Sequence, residues 1–315
     1  MSSFDVVNYS LRPNKSIQRA IVFDGLRKLG EVIELKNARY IGFGSIWFTD
    51  FQKAHKELHL EEMISIEGDE VGFSRAQFNK PYRTVRIEKG LSGDVLPVLL
   101  SEEDLVGAPW IAWLDYDGGL DESVADDLQL LVERAPPNSV VLTTFNGSGQ
   151  RKYGKPKDRP KLLKSVLGDV VPDDLKAEDC DDKHLPETLA VNVLAYMQSV
   201  GVAVARPGGF VPAFRLTYRD GASMTTVGGV LPQRGAVPAV RDIVSSPEWQ
   251  GFVEQPITAP LLTVREAAAL QAKLPGGRKL TRRVVQSLGF DLDDAQIQAF
   301  ERYYRYYPSY AQVML

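Results

Sequence analysis

A chain of 315 residues, 44% hydrophobic and 25% charged, can bury a large core, and its ordinary composition excludes disordered and fibrous classes. Cys180 is the single cysteine, so intrachain disulfides and a cysteine-based zinc site are excluded. A net charge of −4, from 37 basic and 41 acidic residues, gives no global attraction to nucleic acid or an anionic membrane; the start, Met1 to Asp5, lacks the basic and apolar regions of a signal peptide, and the expectation is a cytoplasmic protein without a membrane span.

A first helix is expected from Ser10 to about Leu29, with Ile17, Ala20, Ile21, Leu26 and Leu29 toward the core. Lys15 and Arg19 are four apart on one face, with Arg12 nearby. Two readings stay open for them, a solvated basic face or a cradle for a carboxylate or phosphate at a pocket mouth. The run 38–44 reads as a short strand ending in a glycine turn, Gly42 and Gly44 followed by Ser45, and a helix with Thr49 as N-cap comes next. Residues 63–67 are a second strand about twenty residues on, closing in Glu67, the position where nucleotide-binding folds put the carboxylate for the ribose hydroxyls. Strands at 84–88, 110–114 and 139–144 continue the β-α alternation, the fourth ending in Asp115 and Asp117 and the fifth in Phe145 and Asn146. Glycines beyond strand ends, followed by helix N-termini, mark the ligand edge of an open parallel sheet.

Residues 147–164, rich in Gly, Pro, Lys and Arg, read as a lid loop on the substrate side. Its six positive charges at 151–161 and Tyr153 allow steering of a nucleic-acid or acidic substrate, although a solvated loop is the favoured reading. A helix at 184–200 and two strands at 210–218 and 223–231, joined by Asp220 and Gly221, return the chain to the core and end the sheet in an antiparallel hairpin. The expectation is therefore an α/β, doubly wound, Rossmann-like sheet of seven strands over residues 1–255, with a small helical appendage at 256–315. In the appendage Thr263 and Glu266 form a capping box, and a helix from 293 or 294 to about 307 ends in Tyr303, Tyr304, Tyr306, Tyr307 and Tyr310, which either face a protein partner or pack against the sheet, packing being favoured. His55 and His59 have the i,i+4 spacing of a zinc pair but no third ligand at a diagnostic distance, so surface histidines are expected. Cys180, in an acidic run, is expected to be a passive thiol with a raised pKa.

The strings around Tyr40, Gly42 and Gly44, Phe48 to Phe51, Met63 to Glu67, Phe78 to Tyr82 and Trp113 to Gly118 resemble those of a group of bacterial proteins labelled putative O-methyltransferases. The resemblance extends to Leu11, Arg12, Pro13 and Lys15 and to the tyrosines before Pro308, and so covers most of the chain. It implies a class I fold that binds S-adenosylmethionine; joined to the strand positions above, this puts the cofactor at Tyr40, Gly42, Gly44, Ser45 and Glu67 and the reacting centre at Asp115, Asp117 and Asn146, while the cradle reading of the first helix puts Arg12, Lys15 and Arg19 at the substrate. Two positions depart from the usual first motif: Tyr40 stands where an acid reaches the methionine ammonium, and Ile46 stands in place of a third glycine. Metal-dependent O-methyltransferases carry an acid after strand four and an Asp-Asn pair after strand five. Asp115 and Asn146 match, whereas Phe145 cannot ligate Mg²⁺, so a complete metal site is doubtful unless Asp117 supplies the missing oxygen, with Asp115 the ligand if any.

The leading expectation is methyl transfer to an oxygen acceptor that the sequence does not name, with Asp115 helping to remove its proton. The Asn/Asp-Pro-Pro-aromatic signature of base methylation is missing, because Tyr116 and Asp117 follow Asp115. The alternative is a catalytically silent nucleotide-binding or interaction module, motivated by Tyr40, Ile46 and the tyrosine-rich tail. A dehydrogenase is weaker, since Trp47 occupies the last glycine position of a full dinucleotide fingerprint.

Overall fold

A computed structural model describes residues 12–276 and 279–309, so Ser10, Leu11 and Tyr310 lie outside the described residues. The elements are α1 (Pro13–Leu29), β1 (Arg39–Gly42), α2 (Thr49–Leu58), β2 (Met63–Glu67), α3 (Glu70–Asn79), β3 (Val85–Lys89), α4 (Ser92–Leu99), α5 (Glu103–Val106), β4 (Trp110–Asp115), α6 (Glu122–Arg134) and β5 (Ser139–Asn146). There follow α7 (Gly149–Tyr153), α8 (Arg159–Leu167), α9 (Leu185–Ala203), β6 (Val211–Asp220), β7 (Ala222–Leu231), α10 (Val237–Val244), α11 (Val264–Gln271), α12 (Arg282–Ser287) and α13 (Asp294–Tyr303).

The seven strands form one sheet in the order β3-β2-β1-β4-β5-β7-β6. The first five are parallel, and β7 and β6 close the sheet as an antiparallel hairpin, as expected. Whereas the edge strand β3 alternates buried and exposed residues, the four inner parallel strands, β1, β2, β4 and β5, are mostly buried because both faces are covered. Alternation divides them: Tyr40, Ile111 and Trp113 join the core that α1 and α2 cover, and Ile41, Ala112 and Leu114 join the core beneath α4, α6 and α9. The chain reverses direction across the sheet between β1 and β4, which opens a crevice at their carboxyl ends. The hairpin tip is Gly221, whose φ of 92° an L side chain would strain to adopt.

Helix α1 supplies no side-chain N-cap of its own. Asp220 of the hairpin caps it instead, accepting from Lys15 N at 2.7 Å, while Asn14 Nδ2 donates to Arg219 O and Asn14 Oδ1 accepts from Ala259 N. The N-terminal helix is thereby fixed across β6 and tied to the segment leading to the appendage. Ile257, Leu270, Val285 and Phe300 of the appendage share a core with Ile17 and Leu26 of α1.

Several local expectations differ. Helix α2 begins at Thr49 with Phe48, not Thr49, in the N-cap position and no side-chain cap hydrogen bond. The same helix ends at Leu58, so His59 sits outside it at φ 57° while His55 contacts Leu60 O and packs at a tilt against Tyr82; the two rings do not share a helical face. Helix α13 stops at Tyr303, and α12 was not anticipated. Tyr303 and Tyr307 are buried, Tyr307 donating to Pro260 O, and Tyr306 donates to Asp24 Oδ2, so these rings hold the appendage against α1. Cys180 is fully buried, and burial first, then Asp179, pushes its thiol pKa up.

The expected lid at 147–164 is a correction. It forms α7, a 3-10 turn at Pro156–Asp158 and most of α8, packed rather than loose. Arg159 is fully buried and donates to Gly154 O, Cys180 O and Asp182 Oδ1, because three converging oxygens satisfy its guanidinium fork. Tyr153 is also buried; its hydroxyl donates to Asn146 O and accepts from Leu120 N, both at 2.7 Å, so the ring cannot stack on a nucleic acid. Tyr153→Phe leaves two buried backbone groups without that partner and is expected to lower stability by about 1–3 kcal/mol in urea unfolding. An unchanged midpoint would mean that this segment is not packed in solution.

Candidate functional site

The crevice at the β1/β4 switch holds a cavity of about 510 Å³, within the usual size of small-molecule sites. Each strand that reaches it contributes its carboxyl end or the loop beyond. The β1 loop brings Phe43, Gly44 and Ser45, and β2 brings Glu67, Gly68 and Asp69; the β3 loop brings residues 90–94, β4 brings Asp115 to Asp117, and α1 and α2 add Lys15, Arg19, Thr49 and Asp50.

The turn after β1 is tight. Ser45 and Phe48 have φ of 53° and 49°, and a Cβ on Gly44 would stand 2.4 Å from the Phe48 ring and 2.8 Å from Ser65 Oγ, which accepts from Gly44 N. Gly44 therefore has no room for a side chain. Gly42 is glycine for another reason: it lies inside β1, and its Cβ would meet Trp113 O of β4 at 2.6 Å. It does not line the cavity. Tyr40 is a further correction, since its buried ring packs edge-on against Phe51 at 5.0 Å, one layer beneath the site, and burial drives its hydroxyl pKa well up.

Two buried ion pairs frame the end of the cavity under α1. Lys15 Nζ lies 2.6 Å from Asp115 Oδ2, and Arg19 Nε lies 2.5 Å from Asp50 Oδ1. Burial alone would depress the Arg19 guanidinium; Asp50 and Asp115 more than reverse that and hold its pKa above the ordinary value. Lys15 and Arg19 are thus neither a solvated face nor open groups at a pocket mouth. Arg12 belongs elsewhere: it donates to Asp220 O at 2.6 Å and does not line the cavity. A chain of buried hydrogen bonds sets α1 at this height, from Trp113 Nε1 to Thr144, on to Thr226, and to Gln18 Nε2.

Elsewhere along the cavity wall, Phe43 packs edge-on against Tyr116 at 5.1 Å, and the Tyr116 hydroxyl donates to Asp127 at 2.5 Å. Glu67 lines the cavity beside Asp69 and Asp117, accepting from Asp69 N at 3.2 Å. Partial burial, then the charges of Asp69 and Asp117, raise its carboxyl pKa. Asn146 does not reach the cavity: its Oδ1 accepts from Ser148 N and its carbonyl from Tyr153, one strand away from the switch point. Phe145 is fully buried, so among the described residues β5 offers no pair of oxygen ligands to complete a metal site with Asp115.

Sequence reasoning missed Asp50, Thr49 and the 90–94 loop. The glycine just after β3, Gly90 with φ 148°, was an available signal for the loop, whereas Asp50 reads as an ordinary first-turn acid. Among the lining residues six carboxylates, Asp50, Glu67, Asp69, Asp94, Asp115 and Asp117, face two cations, Lys15 and Arg19.

Residues 7–315 match a family model described as Putative O-methyltransferase. No curated protein matches the chain. Similar solved folds include Trm1 from Pyrococcus horikoshii with S-adenosyl-L-methionine, at 11% identity and TM-score 0.45, covering 72% of this chain and 58% of that one. They also include an O-methyltransferase from Bacillus cereus in complex with SAH, at 13% identity and TM-score 0.40, covering 73% and 84%. LepI in complex with SAM aligns at 11% identity and TM-score 0.38, covering 65% of this chain and 46% of LepI. Against LepI and Trm1 the chain thus spans about half of the other protein's length.

The Glu67 carboxyl gives a pH test. A carboxylate whose folded pKa is raised binds its proton more tightly in the folded state, so its ionisation costs stability as pH rises from about 4.3, the unfolded value, through the higher folded one. The melting temperature of wild type should therefore fall relative to Glu67→Gln across that window and stay below it at neutral pH. Parallel curves for the two proteins would show that Glu67 is not held in this acidic, half-buried setting.

Proposed function

Because the chain belongs to the putative O-methyltransferase family, we propose that this cavity binds S-adenosylmethionine and that the protein transfers its methyl group to an oxygen acceptor. The observation that carries the reading is the charge of the cavity. Six carboxylates against two cations, each already ion-paired, favour a cationic sulfonium ligand and oppose the phosphates of NAD or ATP. The Gly44 cradle, the Glu67 carboxylate and two buried polar atoms of lining residues, Arg19 Nη1 and Ser45 Oγ, without hydrogen-bond partners among the described residues, fit such a ligand.

In this reading Glu67, at the end of β2 and one strand from the glycine turn, accepts both ribose hydroxyls, and Phe43 and Tyr116 offer ring faces or edges to the base. When bound, the cofactor supplies an electrophilic methyl group on sulfur. The chain's own part is mostly alignment and exclusion of water, which α1 supports by roofing the β4 end of the cavity. Asp115 takes the proton of the acceptor hydroxyl, and Lys15 at 2.6 Å puts a positive charge beside the oxygen that becomes anionic. Asp117, on the same strand end, orients the acceptor. No step is assigned to Mg²⁺, since Phe145 and Asn146 offer it nothing in this cavity.

Glu67→Gln keeps the shape but loses charge-assisted hydrogen bonds, so calorimetry should find S-adenosylmethionine bound about 1.5–3 kcal/mol more weakly. Unchanged affinity would remove Glu67 from the site. Asp115→Asn, assayed well below its unfolding temperature, should lower methyl transfer by roughly two to four orders of magnitude while cofactor affinity changes little. Transfer can be followed from labelled S-adenosylmethionine into cell extract. Absence of label transfer from any extract, together with absence of cofactor binding, would leave a silent module on this fold.

A further inference from the structure

Between β1 and α2 the chain offers no carboxylate until Asp50: residues 40–49 contain none. Asp50 lines the cavity in the first turn of α2, held by Arg19 across the gap from α1. A buried ion pair is a poor stabiliser by itself, because desolvating both charges offsets most of their attraction. This one also leaves something over. Arg19, with its side chain only 7% exposed, keeps Nη1 without a partner among the described residues, and Ser45 Oγ in the neighbouring turn is likewise buried without one.

We propose that Arg19, Asp50 and Ser45 form the subsite for the amino-acid end of the adenosyl ligand, an inference that rests on the cofactor reading above. An α-amino acid carries an ammonium and a carboxylate on one carbon, and a receptor for it needs an acid and a base side by side. Arg19 Nη1 and Ser45 Oγ supply donors for the carboxylate, and Asp50 supplies the acceptor for the ammonium. The receptor and the ligand end are both neutral overall, so binding neither buries a net charge nor breaks the Arg19–Asp50 pair. The separate Lys15–Asp115 pair at the β4 end is left for the acceptor. Asp50 thereby does the work for which Tyr40 has no charge.

The test compares S-adenosylhomocysteine with 5′-methylthioadenosine by calorimetry on the full chain. Both are adenosyl thioethers, and only the first has the amino-acid end. Wild type should bind S-adenosylhomocysteine at least about tenfold more tightly. Asp50→Asn should weaken it by about ten- to a hundredfold and leave 5′-methylthioadenosine within about threefold. Ser45→Gly, which suits the φ of 53° and cannot disturb the ion pair, should narrow the ratio in the same direction by several-fold and decides the matter if Asp50→Asn does not fold. A parallel loss of both ligands in these variants, or no loss of either, would overturn the proposal and make the pair a structural clamp. Wild type that binds the two ligands equally would overturn this subsite alone, and wild type that binds neither would overturn the cofactor reading and the subsite with it.

Discussion

The seating of α1 over the carboxyl edge of the sheet is the constraint on which the rest depends. A helix placed before the first strand has no loop short enough to orient it, since nine residues separate Leu29 from Arg39. Its position is set instead by contacts to the far end of the chain: Asp220 caps it, Asn14 holds the backbone of Arg219 and Ala259, and Gln18 joins the Thr144–Thr226 pair. Lys15, Gln18 and Arg19 then lie on one helical face, which is the face turned to the cavity edge. Without the hairpin that carries Asp220 and Thr226, the two cations would have no reason to be buried.

Burying them explains the charge of the site. Two cations are matched by Asp50 and Asp115, and the other lining acids, Glu67, Asp69 and Asp94 among them, leave the cavity wall acidic. Holding acids there is costly for the protein alone, and the Glu67 carboxyl, its pKa raised first by burial and then by the charges of Asp69 and Asp117, records part of that cost. Sites that hold a charged ligand commonly carry such strain, because the ligand supplies the missing opposite charge.

The glycine turn shows how one motif can divide its labour. Gly44 has no space for a side chain where the turn folds back on Phe48, and Gly42 is demanded by β4 rather than by any ligand. Tyr40 sits below both and fills core volume against Phe51. A residue at the motif's acid position can thus be absorbed into packing while a charge from the next helix occupies the cavity wall.

Strand and glycine spacing alone determined the sheet: β2 at Met63–Glu67 matches its expected bounds, and the β-α order with the terminal hairpin followed from short apolar runs, whose period is a local property of the chain. Glu67, Asp115 and Asp117 were legible as residues at the cavity edge for the same reason, since a strand's end is known once the strand is. Local pattern could not show that Arg159 and Tyr153 are buried, because a Gly- and Lys-rich segment reads as a loop until distant partners such as Asp182 and Leu120 converge on it. Nor could it show that Lys15 and Arg19 meet Asp115 and Asp50, that Arg12 and Asn146 serve the hairpin and α7 instead of the cavity, or that Gly42 answers to Trp113. Apart from Asn146, whose partners Ser148 and Tyr153 are near in sequence, these are pairings across tens to hundreds of residues, and only the folded sheet brings the partners within a few ångströms, where burial turns a surface charge into a paired one.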